Sequence, residues 1–191
     1  MSKIFITSDL HFNHSREFIY APRGFHSVEE MNETIIERFN SKVNAGDEVY
    51  ICGDLCLGGG GNEVMAKNKA LIERLNGNIH IIVGNHDTPA RIEMYRFCKN
   101  VVEVVYATMI HYKGYHFYLS HYPTLTANLE KETLKQCTIN LFAHTHSMDP
   151  FYNDMPFMYN VAVDAHNCYP VLLDDAIEHM KLKVKECKEQ L

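Results

Sequence analysis

Apolar residues in this chain fall into short unbroken runs, separated by longer stretches with helical spacing. "KIFITS" (Lys3–Ser8), "EVYIC" (Glu48–Cys52) and "IHIIV" (Ile79–Val83) are continuous rather than alternating, which predicts strands buried on both faces. Five further strands are expected at Val101–Ile110, Tyr115–Ser120, Ile139–Ala143, Tyr159–Asp164 and Val171–Leu173, with Lys113-Gly114 turning one hairpin. Helices are expected between them. Ser27 and Glu30 form a capping box, and Val28, Met31, Ile35, Phe39 and Val43 follow at helical spacing. A second helix is expected over Asn62–Leu75, and a short third over Pro89–Cys98. The last is expected to start from Asp174 as N-cap, with Ile177, Met180, Val184, Cys187 and Leu191 on one face. Phe12–His26 and Ser147–Phe157 lack periodicity, and the glycine run Gly58–Gly61 reads as a flexible loop. No repeat or composition break divides the chain, so the expectation is one α/β domain over residues 1–191.

Composition narrows the class. Apolar residues make up 46% and charged residues 22%, as in a globular protein. The formal charge of −6 argues against stable binding to nucleic acid or to an anionic membrane. The first strand starts too early to leave room for a signal peptide, and no run reaches membrane-span length. The six cysteines are scattered without a C-x-x-C pair, which predicts free buried thiols in a cytoplasmic protein. Oligomeric state leaves no mark in the sequence.

The 12 histidines change the picture through their positions. "FITSDLH" ends in Asp9 and His11, "YICGD" in Asp54, and "IIVGNHD" in Asn85, His86 and Asp87. "FYLSHY" ends in His121, and "LFAHTH" in His144 and His146. Five apolar runs thus terminate in metal-type ligands at their carboxyl ends, the edge where α/β folds form crevices. In an extended chain, residues two apart share a face, which aligns Asp9 with His11 and His144 with His146. A set of carboxylates, imidazoles and an amide suits Mn, Fe, Zn or Ni, and is too rich in imidazole for Ca or Mg alone. It exceeds what one ion needs, so two divalent transition-metal ions sharing a carboxylate, Mn foremost, are the economical expectation. Any one of these residues alone would read as a turn or core residue.

The ordered set Asp9-x-His11, Gly53-Asp54, Gly84-Asn85-His86-Asp87, His121 and His144-x-His146 resembles the calcineurin-like metallophosphoesterase superfamily. "HFNH", "PRGFHSVEEMN" and "NVAVD" resemble a small, uncapped bacterial or phage branch. The resemblance implies a four-layer α/β/β/α sandwich, with two facing mixed sheets flanked by helices. It implies that Asp9, His11 and His146 hold one metal, that Asn85, His121 and His144 hold the other, and that Asp54 bridges them. His86 would be the catalytic imidazole and Asp87 its orienting carboxylate. The implied reaction is hydrolysis of a phosphomonoester or phosphodiester of a small substrate, by in-line attack of a metal-bridging hydroxide. A nuclease for short oligonucleotides and a non-catalytic scaffold are the alternatives. His14 and Arg23 are expected to touch the substrate phosphate, with His166 at the rim. The departures are Ala143 and Asn13 where the family commonly has glycine, and "LCLGGGG" after Asp54, which lacks the family's frequent acidic residue.

Overall fold

The computed structural model describes residues 2–59, 61–126 and 133–189. Four strands, β1 (Ile4–Thr7), β2 (Glu48–Ile51), β3 (Asn78–Ile82) and β4 (Val101–Val105), pair in parallel in the order β4-β3-β2-β1. A short strand, β9 (Val171–Leu172), closes the β1 edge antiparallel. The second sheet holds β5 (Ala107–Tyr112), β6 (Tyr115–Ser120), β7 (Thr138–Phe142) and β8 (Met158–Asn160), with an antiparallel β5–β6 hairpin and parallel pairs beyond it. Both sheets are mixed and helices flank them.

Alternate residues of each strand serve different cores, which is why the runs are continuously apolar. Phe5, Val49, Ile51, Ile79 and Ile81 pack against three helices: α2 (Val28–Lys42), α3 (Asn62–Ile72) and α4 (Pro89–Arg96). Met31, Ile35, Phe39, Ile72 and Tyr95 supply the helical side of that core. Ile6 and Ile82 face the other way, onto Phe117, Leu119, Ile139 and Leu141 of the second sheet. Helix α5 (Leu173–Glu189) seals this core with Ala176, Ile177 and Met180.

The starts of α2 and α4 behave as their sequences predict. Ser27 Oγ accepts from the Glu30 amide at 3.1 Å, and the Glu30 carboxylate reaches back to the His26 amide at 2.7 Å. Thr88 caps α4 with Pro89 in its first turn.

Several expectations are corrected. Val101–Ile110 is two strands in two sheets, broken at Tyr106, which is 77% exposed where the chain crosses over. Tyr159–Asp164 is a strand only to Asn160; Val163–His166 form a 3₁₀ turn. Helix α5 begins at Leu173, so Asp174 lies inside its first turn rather than capping it. Cys187 is half-exposed at its far end, and Leu191 lies outside the described residues. The irregular Phe12–His26 segment carries a one-turn helix, α1 (Glu17–Tyr20), pinned by buried Ile19. Of the glycine run, Gly60 lies outside the described residues.

Candidate metal centre

The two sheets meet at the carboxyl ends of β1, β2 and β3. Beyond the strands, backbone pairing continues: the Asp9 amide donates to Gly53 O at 3.1 Å and the His11 amide to Asp54 O at 3.0 Å. Asp9, His11 and Asp54 are thereby fixed side by side. From the other sheet, Ala143 N donates to His121 O, which places His144 beside His121. The His144 amide donates to Asp9 Oδ2 at 3.1 Å and joins the sheets directly.

The chain here is not extended. Asp9, His11, Asn13, Asp54, His144 and His146 all have left-handed backbone, with φ between 49° and 71°. The expected alignment of Asp9 with His11 holds, but it comes from this alternating kink and not from strand geometry. Non-glycine residues in that region are strained unless their surroundings impose it, and such strain concentrates at functional sites.

Two groups of ligand atoms result. His11 Nε2 and His146 Nε2 face each other at 3.2 Å, with Asp9 Oδ1 3.6 and 3.8 Å from them. Asp9, Asp54 and His121 form a second group, so Asp9 belongs to both. Asn85 Oδ1 completes the far side, 2.7 Å from His121 Nε2 and 2.8 Å from His144 Nδ1. His121 Nδ1 lies 2.8 Å from Cys52 O, which leaves Nε2 facing inward as a lone-pair donor. All seven expected ligands are brought together. Among the described residues, buried Asp9 Oδ1 has no hydrogen-bond partner. An orphaned carboxylate oxygen beside opposed imidazole nitrogens fits a cation better than any internal arrangement.

Charge supports the same fit. Burial works to raise the Asp9 pKa, but neighbouring His11, His146 and His121 outweigh it, and the carboxyl sits below its ordinary value. Burial pushes the His11 and His144 imidazoles down, toward the neutral form that binds metals.

Glycines make the close approach possible. A Cβ on Gly84 would overlap Asp54 Oδ1 and lie 2.7 Å from the Asp54 amide. Gly53, at φ 95°, has His121 Nδ1 2.6 Å from where its Cβ would stand.

The family model for calcineurin-like phosphoesterases matches residues 2–170. The chain belongs to the calcineurin-like phosphoesterases. It is 37% identical to an uncharacterized protein of Methanocaldococcus jannaschii, over 91% of this chain and 89% of that protein. It is 34% identical to the Gene 66 protein of Mycobacterium phage L5, over 47% of this chain and 42% of the phage protein. A solved protein of unknown function from Aquifex aeolicus shares the fold, with TM-score 0.68 and 19% identity, over 93% of this chain and 99% of that one.

In this phosphoesterase, the remaining expected residues separate. The His86 side chain is 45% exposed, and its Nε2 lies 3.9 Å from Asp54 Oδ2. It stands at the mouth of the centre, its amide held by Asp54 Oδ1 at 2.9 Å and its carbonyl by the Arg91 guanidinium. Asp87 does not orient the His86 ring. Its carboxylate accepts from the amides of Gly84 (2.8 Å) and Asp54 (3.0 Å) and from the Tyr95 hydroxyl (2.6 Å). It ties the β2 and β3 loops together from behind, because the turn at Gly84 aims it inward.

Arg23 does not face a substrate phosphate. Its side chain is 2% exposed and doubly bonded to Asp164, with Nε–Oδ1 and Nη2–Oδ2 both 2.9 Å. Nη2 also donates to Asp9 O at 2.9 Å. Asp164 in turn lies 3.1 Å from His146 Nδ1 and fixes that ring from behind. His14 does line the cavity above the centre. Burial and the charges of His11 and His86 lower its pKa to about 4, so it is a neutral imidazole near pH 7. His166 packs flat on Tyr159 and bonds Asn160 O at 2.7 Å; it is a packed residue and not a rim residue.

The departures from the family pattern are accommodated. Ala143 is not among the positive-φ residues, so it needs no glycine. Asn13 takes φ 61°, which asparagine tolerates, and its side chain bonds Asn32 and Asn68. Asp164, Tyr95 and Arg91 are the supporting residues that sequence reasoning passed over. Asp164 alone left a signal, as an acid closing the apolar run "NVAV".

Proposed function

We propose that the chain hydrolyses phosphomonoester or phosphodiester bonds of a small substrate with the help of two divalent metal ions, Mn foremost. The observation that carries this reading is the convergence of Asp9, His11, Asp54, Asn85, His121, His144 and His146 around the orphaned Asp9 Oδ1, in a chain of the calcineurin-like phosphoesterase family. His11 and His146, with Asp9, would hold one ion; Asn85, His121 and His144 the other. Asp54 would lie between them. Asp9 belongs to both groups of candidate ligand atoms, so its carboxylate would be available to either ion. When bound, such ions supply Lewis acidity to phosphoryl oxygens and a water acidified to near-neutral pKa as nucleophile.

The chain's own residues do the rest. Asp164, backed by Arg23, holds the His146 ring in one orientation. Asp87 and Tyr95 hold the Asp54 loop against Gly84. In-line displacement places the leaving oxygen opposite the nucleophile, where it needs a proton. His86, the exposed imidazole at the mouth, would deliver one. The cytoplasm is the compartment this reading favours. Among the described residues, no helix is long and apolar enough to cross a membrane.

The test is a panel of aryl phosphomonoesters, linear diesters and cyclic nucleotides, run on chelator-stripped protein reloaded with Mn, Fe, Zn or Ni. Hydrolysis that appears with metal and disappears with chelator supports the proposal. No hydrolysis with any metal would favour a binding scaffold instead.

A further inference from the structure

The centre opens into a cavity of about 410 Å³, within the range of small-molecule sites. Its lining combines imidazoles, among them His11, His86 and His146, with the apolar side chains Phe18, Ile19 and Pro22. Two adjoining cavities also take Phe18 as a wall, and one of them reaches Arg16 and Gly58. Phe18 is 70% exposed although its neighbour Ile19 is buried. The short helix α1 therefore anchors through Ile19 and holds the Phe18 ring toward solvent. That ring meets His14 edge-on at 5.5 Å, His14 meets His11 at 5.4 Å, and His11 meets His86 at 5.6 Å. A run of aromatic rings leads from the proposed proton donor to the exposed phenyl face.

Resting on the phosphoesterase reading above, we propose that Phe18 is a specificity-determining residue: it stacks on a flat aromatic ring carried by the alcohol part of the substrate. The geometry selects the alcohol side. His86 lines this cavity, so the leaving oxygen it protonates points into it, and the group attached to that oxygen extends toward Phe18 and Pro22. His14 adds one directed contact. The Arg16 amide donates to its Nδ1 at 3.3 Å, which leaves Nε2–H as the ring's donor. A ring N–H beside an exposed phenyl face suits a planar ring with acceptor edges. The lining side chains offer no lysine or arginine cluster for a second phosphate.

Adenosine 5'-monophosphate and ribose 5-phosphate test this directly, because they share the phosphate and the leaving carbon and differ by the ring. Calorimetric dissociation constants are measured on Mn-loaded protein, for the native chain and for Phe18→Ala and Phe18→Tyr. The expected result is binding of the adenosine compound at least about tenfold tighter, in line with aromatic–base stacking. That gap should collapse in Phe18→Ala and persist in Phe18→Tyr. Equal affinities in the native chain, or a gap that survives Phe18→Ala, would overturn the proposal. The underlying phosphoesterase reading fails differently: there would be no metal-dependent turnover of either 4-nitrophenyl phosphate or bis(4-nitrophenyl) phosphate, whatever the binding preference.

Discussion

Asp164→Asn removes the charge behind His146 while keeping the side chain's shape. Asp164 takes two hydrogen bonds from Arg23 and sits 3.1 Å from His146 Nδ1. The substitution leaves a guanidinium that is 2% exposed without its counter-ion, though carbonyl oxygens of Asp9 and Leu10 still accept from it. Breaking a buried pair from one side costs about 3–5 kcal/mol, and in a chain of this length each kcal/mol lowers Tm by about 2–4 °C. Melting of chelator-stripped Asp164→Asn should therefore fall by about 6–20 °C. Metal affinity should weaken by about 10–100-fold, as when the carboxylate behind a ligating histidine is lost. Burial works to raise the Asp164 pKa, but His146 and Arg23 outweigh it and hold it well below the ordinary carboxylate range. Folding thus favours the ionised form. That contribution is fully present above the unfolded pKa of about 3.9 and is lost as pH falls through the lower folded value. The gap between native and variant stability should accordingly shrink in strong acid. Thermal melts, urea midpoints at several pH values and calorimetric Mn titration measure these three effects. A variant that melts within 2 °C or so of the native chain and binds Mn equally well would refute the positioning role of Asp164.

Three more substitutions separate the parts of the site. His86→Ala should retain metal but lose about 10²–10⁴-fold in kcat on alkyl esters; normal turnover of such esters would show that His86 is not the proton donor. In Gly84→Ala, the added Cβ overlaps Asp54 Oδ1, so metal stoichiometry should fall, and a fully loaded variant would contradict the crowding argument. Tyr95→Phe removes the hydroxyl that bonds Asp87 Oδ1 at 2.6 Å and leaves a buried carboxylate short of a donor. It should cost about 1–3 kcal/mol in urea unfolding, and a change under about 0.5 kcal/mol would mean that the bond contributes little.

The candidate ligands were legible because each stands where an apolar run stops, and burial forces such runs to end at one edge of the sheets. All seven converge. The backbone that brings them together was not legible: the spacing of Asp9 and His11 suggested extension, and only the packed loops impose left-handed angles on both. The run Val101–Ile110 has no glycine or proline at Tyr106, so its division between two sheets left no local mark. Arg23 read as a loop cation because its counter-ion, Asp164, lies 141 residues away. Asp87 read as a partner of its neighbour His86, yet a turn at Gly84 sends the two side chains apart. Long-range pairing decides these cases, and local pattern does not carry it.

The most direct measurement is a Mn titration of chelator-stripped protein, following bound metal together with hydrolysis of 4-nitrophenyl phosphate and of bis(4-nitrophenyl) phosphate. The account predicts no turnover without metal, saturation at two ions per chain, and turnover that rises with occupancy. Binding of two ions without turnover, or turnover indifferent to chelator, would contradict it.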